Sequence, residues 1–187
     1  MKDDMPYLSA LNLKEVKILA VDGHKEDIIP GGAMWCKTSL TSIVLPDILK
    51  GIEMGAFYGC TSLSGSLIIP EGVEFIGHGA FSDMEGDGRG VFWCCGFVSE
   101  LKLPDKLVQI GRNTFSGCTG LYGELRLPKN LRKIGLDAFS DCKNFSGSLE
   151  IPQGVIDIPH GCFNGCWLGG TLSLHDGIST IGSNAFA

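Results

Sequence analysis

No stretch of this chain is both apolar and long. Hydrophobic residues fill 44% of the 187 positions, yet no run reaches the roughly 18 residues that a membrane-spanning helix requires, so insertion of such a helix into a bilayer is not expected. Charge is sparse too. The 15 basic residues are interspersed among 21 acidic ones for a formal net charge of −6, which leaves no basic stripe to neutralise phosphates and makes nucleic acid an unexpected partner. The N-terminus MKDDMPYLSALNL lacks the charged, apolar and small-residue sequence of a secretory leader. Also missing are a nucleophile with a base at meaningful spacing, a phosphate-cradling loop and paired carboxylates on one element. Neither an enzyme nor a cofactor is expected.

Glycine and cysteine, by contrast, are plentiful, 27 and eight residues, and both are positional. Prolines follow a Leu/Ile-x-Leu/Ile pattern at Pro46, Pro70, Pro104, Pro128 and Pro152, and His175 takes the same place in LSLHDG. Six residues after each comes isoleucine, at Ile52, Ile76, Ile110, Ile134, Ile158 and Ile181. Eleven after each comes phenylalanine, at Phe57, Phe81, Phe115, Phe139, Phe163 and Phe186. Cysteine follows the phenylalanine by three residues at Cys60, Cys118, Cys142 and Cys166. The spacing between Pro70 and Pro104 is 34 rather than 24, which places ten extra residues between Phe81 and Cys94. An earlier, degenerate copy has LNL at 11–13 as its strand, Ile29, the pair Ala33-Met34, and Cys36. This organisation predicts one unit over residues 1–187, with about seven rungs of 23–24 residues, an irregular first rung and an insertion at 85–93.

Each rung can be read locally. LSGSLIIP and LYGELRLP alternate apolar and polar residues up to a proline, as a half-buried strand does where the next amide donor is lost. VEFIG and LRKIG predict a second short extended segment, and the AF-x-x-C stretch a tight helical turn with its phenylalanine inward. Two sets of glycines fall where a tight coil needs positive φ: Gly65, Gly123, Gly147 and Gly170 before the strand, and Gly77, Gly111, Gly135 and Gly182 after the isoleucine. A single rung, with inward side chains such as Cys60, Leu63, Leu67, Ile69, Val73, Ile76 and Phe81, buries too little to offset the entropy of ordering its backbone. It stands only when covered above and below by copies of itself. The fold class expected is a repeat solenoid, mainly β with short helical turns, wound as a right-handed coil with a parallel strand ladder.

The segments LIIPEGVEFIGHGAFSDM, LRLPKNLRKIGLDAFSDC and LEIPQGVIDIPHGCFNGC resemble the BspA-like leucine-rich repeats, over residues 8–187. The match departs from the better-known leucine-rich consensus in placing cysteine after the AF pair. The resemblance implies a solenoid of the kind found mostly in bacterial surface or secreted proteins, associated with binding host proteins, and it brings no catalytic residues.

Several stretches carry site-like chemistry. Cys36, Cys60, Cys94, Cys118, Cys142 and Cys166 share one repeat position and Cys162 takes the small slot of the AF pair, so the thiols read as compact core fillers. HGCFNGC (160–166) has zinc-type residues but no second ligand pair. DMEGDG (83–88) resembles an acidic calcium loop whose closing glutamate position is Cys94, and SELK (99–102) matches a catalytic S-x-x-K without its companions. No metal site is expected.

Two places suit a partner. The insertion EGDGRGVFWC brings Arg89, Phe92 and Trp93, which either fold back over a rung edge or form a contact loop. The outward face of the strand ladder carries one column of Ser42, Ser66, Glu100, Glu124, Ser148 and Thr171, and a second of Val44, Ile68, Lys102, Arg126, Glu150 and Ser173, in which opposite charges are placed to pair across strands. The partner-binding set is therefore Ser66, Ile68, Glu100, Lys102, Glu124, Arg126, Ser148, Glu150, Arg89, Phe92 and Trp93. The last rung, GSNAFA, has no polar cap, which predicts a longer array or end-to-end self-association. The function expected is a non-catalytic scaffold that recognises a protein, such as a host extracellular-matrix protein, from the cell surface or after secretion. The alternative is a spacer displaying another domain.

Overall fold

In the computed structural model, which describes residues 7–20, 25–77 and 95–187, short parallel strands stack into ladders. Ile28–Ile29, Gly51–Ile52, Phe75–Ile76, Gln109–Ile110 and Lys133–Ile134 form one five-stranded sheet. Its register aligns Ile29, Ile52, Ile76, Ile110 and Ile134 in a column, and Ile158 aligns with Ile181 in the pair that follows. The Ile76–Ile110 partnership spans 34 residues, so the insertion leaves the frame intact. The first strand of each rung pairs likewise: Ala10–Asn12 with Ser42–Val44, Ser99–Glu100 with Leu121–Glu124 and Asn144–Ser146, and Leu149–Glu150 with Leu172–Ser173. Ile68 bridges to Lys102.

Between the two strands each proline opens a turn. The amides of Leu49, Val73, Leu107, Leu131 and Val155 donate to the carbonyls of Pro46, Pro70, Pro104, Pro128 and Pro152 at 2.9–3.1 Å. His175, in the proline slot, opens the same turn, its carbonyl accepting from the Ile178 amide at 3.2 Å, and adds bonds from its ring. Nδ1 accepts from the Gly177 amide at 3.1 Å, which leaves Nε2 as the donor to the carbonyls of Pro152 and Val155 at 3.1 and 3.0 Å.

The phenylalanine stretch is a turn rather than the expected short helix, and among the described residues there is no helix. Two left-handed residues bracket it. Gly55, Asn113, Asp137, Gly161 and Asn184 open the turn, and Gly59, Gly117, Asp141 and Gly165 close it, with φ between 52° and 70°. Left-handed backbone cannot propagate a right-handed helix, and glycine, asparagine and aspartate tolerate it best. The turns pair with one another instead. Amides of Asn113, Phe115 and Gly117 donate to carbonyls of Leu136, Ala138 and Ser140, and the same pattern links Asp137, Phe139 and Asp141 to His160, Cys162 and Asn164, all at 2.7–3.0 Å.

The described phenylalanines of the repeat point inward. Phe57, Phe115, Phe139 and Phe163 are buried, and Phe115, Phe139, Phe163 and Phe186 stack with ring centroids 5.4–5.5 Å apart. Together with the Leu49, Val73, Leu107, Leu131, Val155 column and the isoleucines from Ile29 to Ile158 they form one continuous core, while Ile181 in the last pair is exposed.

The glycines divide between two roles. Gly65, Gly123 and Gly147 are left-handed as expected, whereas Gly170, Gly77, Gly111, Gly135 and Gly182 are not. Gly77, Gly135 and Gly182 are needed because the chain before them passes too close. A Cβ there would lie 2.6, 2.3 and 2.4 Å from the backbone nitrogens of Met54, Arg112 and His160.

Candidate functional site

The ladder face presents the side chains the alternation assigned to it. Ser66, Ile68, Glu100, Lys102, Glu124, Arg126, Ser148 and Glu150 are all exposed. They line three shallow depressions that share walls. The first lies among Ser66, Ile68, Glu71, Val98, Glu100, Lys102 and Tyr122. The next reuses Glu100 and Lys102 and adds Asp105, Glu124, Arg126 and Lys129. The third reuses Glu124, Arg126 and Lys129 and reaches Ser148, Glu150 and Ser173. A single furrow thus crosses the rungs. Arg89, Phe92 and Trp93, with Phe81, Cys94 and the DMEGDG stretch, lie outside the described residues.

Within the furrow the columns are staggered relative to their sequence frame. Tyr122, not Glu124, stands opposite Glu100, and Glu124 stands opposite Ser146. The left-handed Gly123 and Gly147 lie where the Glu100 and Glu124 side chains pass, since a Cβ on either glycine would come 3.3 and 3.5 Å from the respective Cγ. The stagger keeps two carboxylates from facing each other across strands, an unfavourable pairing. The expected pairing of opposite charges across strands is replaced by a pair within one strand. Arg126 donates to Glu124 Oε2 through Nε at 2.8 Å and through a terminal nitrogen at 2.7 Å, an exposed contact worth less than about 1 kcal/mol.

The two charged columns reach Ile68 but miss the rest of the most apolar part of the face. Tyr122 is 47% exposed, Val98 63% and Ile68 75%, and all three line one depression. Tyr122 and Val98 belong to a third outward column, two residues earlier in each rung. Continuing the alternation LYGELRLP one step toward the N-terminus finds them. A separate exposed aromatic contact lies elsewhere, where Trp35 stacks on Tyr58 with centroids 4.6 Å apart beside Met54 and Phe75.

The other site-like stretches have structural roles. All seven described cysteines are thiols, and those of Cys60, Cys142 and Cys166 donate to the carbonyls of Met34, Phe115 and Phe139 one rung back at 2.9, 2.9 and 3.0 Å. They are hydrogen-bond donors between rungs as well as apolar fillers. Burial pushes the Cys60 and Cys166 thiols up to about 12 and Cys162 well above its ordinary value, the reverse of an activated nucleophile. Cys36 does not join this column. It lies one position early, at the left-handed close of its turn (φ 53°), and is exposed, because the degenerate first rung places Lys37 three residues after Met34. Cys95 is buried and lies near enough to Cys60 to influence its thiol.

His160 turns to the next rung, its Nδ1 2.9 Å from the Ser183 hydroxyl. The Ser99 hydroxyl accepts from the buried Leu67 amide at 3.3 Å, so the S-x-x-K match describes a core contact. Among the described residues no three His, Cys, Asp or Glu side chains gather as a metal site, and no helix is long and apolar enough to cross a membrane.

The BspA type leucine rich repeat region matches in six copies over residues 28–86 and 88–187. The chain belongs to this family. BspA-type repeats form interaction or structural modules, and the family and its fold are typically non-catalytic. Among solved structures, the chain is similar to the T. pallidum leucine-rich repeat protein TpLRR at 28% identity and a TM-score of 0.70, covering 94% of this chain and 74% of that one. A Bacteroides ovatus leucine-rich repeat protein matches at 17% identity and a TM-score of 0.39, covering 96% and 72%. A Faecalibacterium prausnitzii leucine rich cell surface protein matches at 21% and 0.38, covering 92% and 62%. No curated protein matches the sequence.

Proposed function

We propose that this BspA-type chain is a non-catalytic protein-interaction module, acting in adhesion or host-protein recognition at the cell surface or after secretion, and that its ladder furrow is the docking face. The observation that carries the reading is the exposed trio Ile68, Val98 and Tyr122 inside a furrow otherwise walled by charged side chains. Interface anchors are characteristically large apolar or aromatic groups surrounded by a polar rim, and a monomer gains nothing by exposing Ile68 where lysine and arginine serve in the two rungs that follow. The BspA-type family supports the role. The insertion at 85–93 is a second contact element in this reading.

The test is a pull-down against purified extracellular-matrix proteins. Retention of a matrix protein by the intact chain, lost in the double variant Ile68→Ser with Tyr122→Ser, is the expected result. Retention lost only on deleting residues 85–93 moves the site to the insertion. No retention by any form favours a spacer that displays another domain.

A further inference from the structure

We infer that the segment docking in the furrow is extended and cationic, with one large apolar side chain between its positive charges; this rests on the docking reading above. The furrow is lined by the carboxylates of Glu71, Glu100, Asp105, Glu124 and Glu150. Against these five stand three cations, Lys102, Arg126 and Lys129. Arg126 is already held by Glu124. Of the remaining side chains, four carboxylates face two ammonium groups, and none of the six is in an ion pair.

The asymmetry is greatest at the apolar trio, where Glu71 and Glu100 line the same depression as Ile68, Val98 and Tyr122 and Lys102 is the single cation. Basic residues that would reverse this balance, Lys106, Arg112, Arg132 and Lys133, are exposed but lie outside the furrow lining. The chain's net charge of −6 steers a cationic partner in the same direction.

Geometry fixes the ligand's pattern. In an extended peptide the side chains of residues i and i+2 share a face about 7 Å apart, and neighbouring rungs are about 4.8 Å apart. A sequence of the type Lys-x-Trp-x-Lys therefore sets an aromatic ring on Ile68, Val98 and Tyr122 with an ammonium group directed to either side, toward Glu71 and Glu100. The alternative ligand of equal shape, with glutamates in place of the lysines, meets those two carboxylates.

The experiment uses rhodamine-labelled Lys-Thr-Trp-Thr-Lys-Thr and its counterpart Glu-Thr-Trp-Thr-Glu-Thr, titrated with the full chain by fluorescence anisotropy at low and high salt. The expected result is binding of the lysine probe at least about tenfold tighter than the glutamate probe, weakened by salt. Ile68→Ser with Tyr122→Ser weakens it, and Glu71→Lys with Glu100→Lys reverses the preference. All four positions are exposed, and circular dichroism checks that the variants fold. Equal or tighter binding of the glutamate probe, still lost in the Ile68→Ser and Tyr122→Ser variant, overturns the charge inference and leaves the docking reading intact. If neither probe binds, or if that double variant binds like the parent, the inference falls, and the pull-down then decides whether the docking reading falls with it.

Discussion

The Cys142 thiol donates to the Phe115 carbonyl oxygen one rung back, at 2.9 Å. That carbonyl also accepts the Cys118 amide at 3.1 Å, so the thiol adds a second donor to a buried acceptor and ties two turns together. Cys142→Ala removes both the bond and the sulfur's volume. The expected cost is about 1–2 kcal/mol, from one neutral hydrogen bond and a small void, read as a lower midpoint in urea with an unchanged slope. A midpoint within error of the parent would make the contact energetically idle.

The repeat's buried positions were legible because a stacked solenoid demands the same shape at each one: the isoleucine and phenylalanine offsets predicted two columns that the structure aligns. The turn was not, because its left-handed positions are filled by glycine at Gly161, asparagine at Asn113 and aspartate at Asp137, three residue types that answer one backbone requirement without repeating a letter. Glycine misled in the opposite way, since the same letter meets a dihedral requirement at Gly65 and a steric one at Gly135. Of the candidate site, the charged columns were legible from alternation. Ile68 was among them, and its two apolar neighbours were missed because Tyr122 and Val98 stand one alternation step before the charged columns.

Those two glycine roles predict different costs. At Gly135 an added Cβ meets the Arg112 backbone nitrogen at 2.3 Å, whereas at Gly65 it meets nothing within 4 Å and only the φ of 80° opposes it. Gly135→Ala is expected to destabilise by about 3 kcal/mol, because backbone must shift, and Gly65→Ala by about 1 kcal/mol. Chemical denaturation of the two variants checks the order, and a larger loss at Gly65 would reverse the assignment.

The thiols predict an alkaline dependence. Cys60 and Cys166 are held up to about 12 by burial, whereas in the unfolded chain they ionise near their ordinary value of about 8.5. A raised folded value means the folded state retains protons that the unfolded state releases, so the contribution is complete below about pH 8.5 and is lost as pH rises toward 12. The urea midpoint is expected to fall between pH 8 and 10, and to fall less in a Cys60→Ala, Cys166→Ala variant. An identical slope in parent and variant would assign the dependence to other groups.

Accessibility should separate the same thiols. In native buffer Cys36, exposed at its turn, is expected to react first with a thiol reagent. Buried Cys60, Cys118, Cys142 and Cys162 wait for denaturant. In denaturant without reductant all eight cysteines of the sequence are expected to titrate as thiols, and mass spectrometry after partial labelling identifies the order. A stoichiometric intramolecular disulfide would contradict the packing described for the column.

Everything proposed for the furrow depends on coils stacked in one register, continuous across the insertion, and the Ile68–Lys102 bridge is where that register can be tested most directly. Adjacent strands bring paired Cβ atoms within reach of a disulfide, so Ile68→Cys with Lys102→Cys should cross-link readily under mild oxidation in the folded chain. Ile68→Cys with Arg126→Cys, one rung further along, should not. Cross-linking of the second pair as fast as the first, or of neither, would contradict the stacked register.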